Sequence, residues 1–239
     1  MVDHVNVTNF NRTTAQLGEK IPLSEKLIDP VKVTNFNRTT EELELFLAFC
    51  LAVAGKNATR TAINLQNLLN HAQMTYWGVP VHKTPFELIR TVATYESLSA
   101  RMKALGFGCY NIKGKGLTQL AWSGLNLHFC TVEDLENLYG IGMKSARYFV
   151  LHSRANARVA CLDTHVLKWL SYYTGYDVPK SDPSRKKYLE LEKLFLNIAD
   201  LMKTTPAKLD LAIWNKQRGS DAKSLAGRKN GKNTKVLDG

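Results

Sequence analysis

The stretch Thr131–Leu170, TVEDLENLYGIGMKSARYFVLHSRANARVACLDTHVLKWL, constrains the fold of this chain more than any other. Its first half holds two runs with helical periodicity: Val132, Leu135 and Leu138 in one, and Lys144 to His152 as the other. Thr131, with Asp134 three residues on, is a capping-box start for the first run. Tyr139-Gly140-Ile141-Gly142 joins the runs, and Gly140 and Gly142 permit backbone conformations that a side chain would hinder. The spacing therefore predicts a helix-hairpin-helix over 131–154. The amides at the start of its second helix stay open, with the positive end of the helix dipole behind them, which suits a phosphate. Farther on, Leu162-Asp163-Thr164-His165-Val166 opens another helix, with Asp163 as its natural N-cap.

A hairpin of this kind holds a nucleic-acid backbone without reading its bases. The net charge of +11 and pI near 9.5 point the same way, to a polyanionic partner. At 239 residues the chain buries a full core in one large or two small domains, and 44% hydrophobic content is globular. No apolar run approaches the roughly 20 residues of a membrane span. The opening residues MVDHVNVTNFNRTT lack the basic-then-apolar order of a signal peptide. The expectation is a monomer with no membrane partner and no secretion: cytoplasmic or nucleoid-associated in a prokaryote or an infected host, nuclear in a eukaryote. Asn-x-Thr triplets at Asn6, Asn11, Asn37 and Asn57 then carry no meaning as glycosylation sites. Cys50, Cys109, Cys130 and Cys161 are scattered without metal-ligand spacing, so reduced thiols and no metal are expected.

Leu138, Gly140, Ile141, Gly142, Lys144 and Ala146, followed by Leu162, Asp163, Thr164 and His165, form a pattern that resembles the endonuclease III superfamily of helix-hairpin-helix DNA glycosylases. Tyr139 stands where that family often has proline, which is expected to loosen the turn while leaving its amides available. Leu209–Gly219, LDLAIWNKQRG, resembles the C-terminal stretch of archaeal-type 8-oxoguanine DNA glycosylase/AP lyases. Gly106–Gly116, GFGCYNIKGKG, resembles a superfamily turn whose basic residues, Lys113 here, touch phosphate.

The resemblance implies an all-α fold of two helical lobes, a six-helix barrel and a lobe of N- and C-terminal helices. The hairpin sits at the cleft between them, with Lys144 on one side and Asp163 on the other. It also implies a reaction. Duplex DNA is the partner, and its target base must be extruded. Asp163 beside C1′ stabilises the positive charge that builds on the sugar. Lys144, as a neutral amine, attacks C1′ and leads through a Schiff base to strand cleavage. Alone, Lys144 more often only touches phosphate and Asp163 is most often a helix cap; their conjunction favours catalysis. The expected substrate is 8-oxoguanine. The alternatives are another oxidised or modified base, or a noncatalytic DNA clamp. Trp214, and Tyr148 one turn beyond Lys144, would border the base, though Trp214 fits a core anchor as well. The break after the first buried helix faces DNA in the resembling family, so Lys56, Asn57 or Arg60 would approach it. A solvated helix start is the equal alternative. Many relatives carry a four-cysteine iron–sulfur loop near the C-terminus; no cysteine follows Cys161 here, so no cofactor is expected.

In chain order, Val5–Thr14 and Val31–Thr40 are a near-perfect direct repeat, VNVTNFNRTT and VKVTNFNRTT. Thr39 with Glu42 makes a capping box for a long helical stretch over 41–70, interrupted near Gly55. Thr75–Pro85 reads as a loop in which Tyr76 and Trp77 close the core or stack on a base. Two helices follow over 86–105, then a helix to Tyr173, a turn through Gly175, a long helix from Arg185 to Lys203, and a last one over 207–217. The expected units are a repeat-bearing segment (1–40) packing partly on the C-terminal lobe, the barrel with the hairpin (41–157), the C-terminal lobe (158–218) and a disordered basic tail (219–239).

Overall fold

The computed structural model describes residues 32–78 and 83–216, whose regular structure is all helix, with no strand. The first repeat copy and the basic tail lie outside the described residues. None of the described helices is long and apolar enough to cross a membrane.

Helix α1 (Thr40–Val53) starts at the expected capping box, where Thr39 and Glu42 exchange side-chain and backbone hydrogen bonds. Its sequence is apolar nearly all round, and Phe46, Leu47 and Ala48 have no exposed surface. A helix with no polar face is stable only at the centre of others, and each large side chain it buries contributes about 1.5–3 kcal/mol. Asn57 caps α2 (Ala58–Trp77), which ends at Gly78 in the left-handed conformation at φ +68°. This helix therefore runs through Tyr76 and Trp77, which the sequence placed in a loop. Thr84 and Glu87 form a second capping box for α3 (Pro85–Tyr95), with Pro85 in the first turn, where its missing N–H costs nothing.

Helices α4 (Leu98–Ala104) and α5 (Tyr110–Trp122) follow. Gly114 and Gly116 were read as part of a turn, yet they lie inside α5, where glycine is otherwise unfavourable. Packing explains the difference: a Cβ on Gly114 would strike the backbone and hydroxyl of Ser99, and one on Gly116 would strike the carbonyl of Tyr139. The two glycines let α5 touch both α4 and the hairpin. The hairpin itself is α6 (Val132–Glu136) and α7 (Met143–Ser153). An irregular segment over 157–163 leads to α8 (Thr164–Thr174), then α9 (Arg185–Leu201) and α10 (206–216).

The buried side chains form two main cores. One gathers residues from Val33 to Val150 around α1, and the other gathers Ala160 to Ile213 from α8, α9 and α10. These are the two lobes. Leu151, Cys161 and Ala207 make a small cluster between them. The described part of the N-terminal segment attaches to the first core through Val33 and Arg38, and Val33 also lines the cleft with Asp210 and Trp214 of the C-terminal lobe. Arg38, 8% exposed, donates to the carbonyls of Val33, Asn35 and His152 and lies 4.1 Å from the Phe46 ring. One buried guanidinium thus satisfies three carbonyls and fixes residues 33–38 against the end of α7.

Candidate active site

The hairpin turn is built as local chemistry requires. Thr131 Oγ1 accepts from the Asp134 amide at 3.1 Å and Asp134 accepts from the Thr131 amide at 2.8 Å. Gly140 adopts φ +81°, a conformation that favours glycine. Gly142 is the N-cap of α7 and offers no side-chain acceptor, and nothing lies within 4 Å of where its Cβ would be. The first amides of α7 therefore face open space with the helix dipole behind them. Tyr139 does not loosen this turn. Its amide donates to Gln119 Oε1 at 2.7 Å, a bond proline lacks, and Lys115 Nζ lies 4.5 Å from its ring.

A cleft of about 790 Å³ runs between the lobes. Helix α7 contributes Lys144 and Tyr148 to it, the segment before α8 Cys161 and Asp163, and α10 Asp210 and Trp214; Lys56 and Asn57 stand on its rim. Lys144 is exposed, and no hydrogen bond or ion pair holds its ammonium among the described residues. Asp163 is half-buried at the start of α8. Its Oδ1 accepts from the amides of His165 and Val166 at 2.9 and 2.8 Å, while Oδ2 has no such partner among the described residues. Capping and catalysis are therefore compatible: one oxygen fixes the carboxylate and the other is available. Burial pushes the Tyr148 hydroxyl well above its usual range, so it stays protonated.

Lys56 and Asn57 stand on the cleft rim, and both are engaged within the fold. Lys56 is exposed and its stem crosses Gly108, where any Cβ would collide with it. Asn57 uses its side-chain oxygen to cap α2 through the Arg60 amide, leaving only its amide nitrogen for a ligand. Lys113 is a correction. It is 3% exposed and its Nζ donates to the Ala52 carbonyl near the end of α1, so it presents no charge to a phosphate. The orphan carbonyls of a buried helix terminus need donors, and this lysine supplies one.

The sequence reading missed Asp210. It is 7% exposed, on the cleft wall, and its Oδ2 pairs with His152 Nε2 at 3.2 Å; His152 Nδ1 in turn meets Thr34 Oγ1 at 2.8 Å. Burial raises its pKa, against the pull of His152. The available signal was a carboxylate one turn before Trp214 in an otherwise apolar run. A second recess, about 810 Å³, lies behind the hairpin with Glu96 and Lys115 on it, but neither Lys144 nor Asp163 reaches it. Among the described residues no three His, Cys, Asp or Glu side chains are grouped as metal ligands.

Comparison with known proteins agrees with this geometry. Residues 129–204 match a family model described as 8-oxoguanine DNA glycosylase. The chain is 28% identical over 183 residues to an 8-oxoguanine DNA glycosylase/AP lyase of Thermoplasma volcanium, covering 73% of this chain and 79% of the relative. Over 86 residues it is 42% identical to the protein of that name from Thermoplasma acidophilum, 36% of this chain and 40% of that one. The crystal structure of the Methanocaldococcus jannaschii 8-oxoguanine glycosylase/lyase with a 15mer DNA containing 8-oxoguanine superposes with a TM-score of 0.56 at 25% identity, over 82% of this chain and 89% of that one. The open hairpin, the lysine and aspartate on one cleft and these matches together make the chain similar to the helix-hairpin-helix DNA glycosylases of the archaeal 8-oxoguanine type.

Proposed function

We propose that this protein is a bifunctional DNA glycosylase and AP lyase that removes 8-oxoguanine from duplex DNA, working as a monomer without a cofactor. The observation that carries the reading is that Lys144 and Asp163, from different lobes, line the same cleft beside an uncapped helix start. The amides at Gly142 and beyond hold a backbone phosphate, and Lys56 and Asn57 meet the duplex at the rim. The extruded base enters the cleft, where Trp214 and Tyr148 border it.

As the N-glycosidic bond breaks, its electron pair leaves with the base and positive charge develops at C1′, beside the uncommitted oxygen of Asp163. The Lys144 amine, having lost a proton, forms the new bond to C1′. The sugar ring opens to a protonated Schiff base. Loss of a C2′ proton then expels the 3′ phosphate by β-elimination and cuts the strand.

Borohydride trapping tests this directly, on duplexes carrying 8-oxoguanine, an abasic site or no damage. The expected result is a covalent adduct with the first two, absent in Lys144→Gln, which binds DNA with little loss. Trapping on the abasic site alone would retain the lyase and reject 8-oxoguanine as the substrate. No adduct on either duplex, with no base release, would leave a DNA clamp.

A further inference from the structure

We infer that Glu192 is a positioning residue for this reaction, holding Lys144 and Asp163 in register across the cleft through a single carboxylate oxygen. The inference rests on the glycosylase reading above. Glu192 lies on α9, is 8% exposed and takes no part in lining the cleft. Its Oε1 accepts two hydrogen bonds, from Arg147 Nε at 2.9 Å and from the Ala160 amide at 2.8 Å. Arg147 stands three residues after Lys144, and Ala160 stands three residues before Asp163. Both reacting groups are therefore tied to one oxygen atom, Lys144 through a turn of α7 and Asp163 through three residues of chain tightened by the bond from the Asp163 amide to the Cys161 carbonyl at 2.8 Å.

The surrounding bonds make that atom a junction. The segment over 157–163 belongs to no helix, so its backbone groups need partners from elsewhere. Tyr188, one turn before Glu192 on α9, completes the set: its hydroxyl donates to the Ala160 carbonyl at 2.9 Å and accepts from the Leu162 amide at 3.0 Å. Arg147 extends the other way, to Glu136 on the first hairpin helix, which Arg185 of α9 also holds. The phosphate-holding hairpin, the nucleophile's helix and the carboxylate's segment thus converge on α9. The Arg147–Glu192 pair taken by itself is weak evidence for a stabilising role, since apolar residues of similar volume often replace a buried ion pair without loss. What charge-assisted hydrogen bonds add is direction.

Base release requires both groups at C1′, whereas trapping on a preformed abasic site breaks no glycosidic bond. Loss of register therefore separates the two activities. In Glu192→Ala, base release from an 8-oxoguanine duplex should fall about 10–100-fold, while abasic-site trapping falls less than about threefold, as expected for a displacement near 1 Å. Affinity for undamaged duplex should not change. Glu192→Gln keeps an oxygen for both donors and should restore most of the release rate. A wild-type ratio of release to trapping in Glu192→Ala overturns the proposal. So does a parallel fall of both activities with the folded fraction, or a Gln variant no better than Ala. If Glu192→Ala does not fold, Arg147→Met keeps the bond from the Ala160 amide to Glu192, removes the one from Arg147 along with the pair to Glu136, and takes the same test with the same outcomes. Failure of both to fold would make the junction a folding requirement and overturn the positioning role. The wild-type control stands apart: absence of both release and trapping there sinks the glycosylase reading itself.

Discussion

Lys144 and Lys113 each sit in the first turn of a helix that follows a glycine turn, and the fold uses them in opposite ways. Lys144 projects into the cleft with no partner for its ammonium among the described residues. Lys113 is buried and donates to the Ala52 carbonyl. The turns differ accordingly. Gly142 leaves the start of α7 open, whereas Cys109, at φ 55°, begins α5 where that helix packs toward the hairpin and α4. The lesson is that a lysine beside glycines becomes available for chemistry only where no carbonyl of the fold needs its protons. Carboxylates divide in the same way. Asp163 keeps one oxygen uncommitted, while Glu96 accepts from His71, Tyr76 and Arg101.

The largest expected effect tests the uncommitted oxygen of Asp163. Asp163→Asn keeps an oxygen for the His165 and Val166 amides, so the melting temperature should hardly move, while single-turnover base release falls about 10²–10³-fold. Equal rates in the two proteins would reduce Asp163 to a helix cap. Next, Lys113→Ala should lower stability by about 2–3 kcal/mol in urea unfolding, because it deletes a buried stem and orphans the Ala52 carbonyl. At matched folded fraction its DNA affinity should keep the wild-type salt slope. A slope reduced by about 1 would show that Lys113 neutralises a phosphate after all.

Glu96 gives a pH test of a fully committed carboxylate. Burial alone would raise its pKa, but hydrogen bonds from Arg101, Tyr76 and His71 outweigh that and hold it at about 2, below the ordinary 4.5. A depressed carboxylate stabilises the fold above its ordinary pKa, and that contribution is lost as pH falls towards the folded value. Glu96→Gln should therefore cost roughly 1 kcal/mol near neutrality, after allowance for partial exposure, with the cost shrinking below the ordinary pKa and vanishing as pH falls through about 2. A cost independent of pH would place its role in packing. The smallest effect concerns the hairpin turn. Tyr139→Pro removes the bond to Gln119 and should cost about 1 kcal/mol despite restoring the residue the family often has. A rise in melting temperature would mean that backbone entropy limits this turn instead.

The features legible in advance were those written within a few residues. Thr131 with Asp134, Thr39 with Glu42, Gly140 at positive φ and Asp163 ahead of α8 are all short-range devices, and each is present. The features missed join distant segments. Nothing near Lys113 reveals that Ala52 lies beneath it, nor does anything near Asp210 reveal His152 and Thr34. Gly114 and Gly116 read as a turn because glycine disfavours helices, and only the approach of Ser99 and Tyr139 explains them inside one.

The sequence by itself determined that this chain is helical and that it carries a helix-hairpin-helix, and it singled out a lysine and an aspartate that line one cleft. Capping and glycine conformations act over three or four residues, so their signal survives in one dimension. Only the tertiary structure decided which polar groups remained uncommitted. A buried donor or acceptor must find a partner wherever the packed chain places one, and that partner stands 61 residues from Lys113, 58 from His152 and 45 from Arg147.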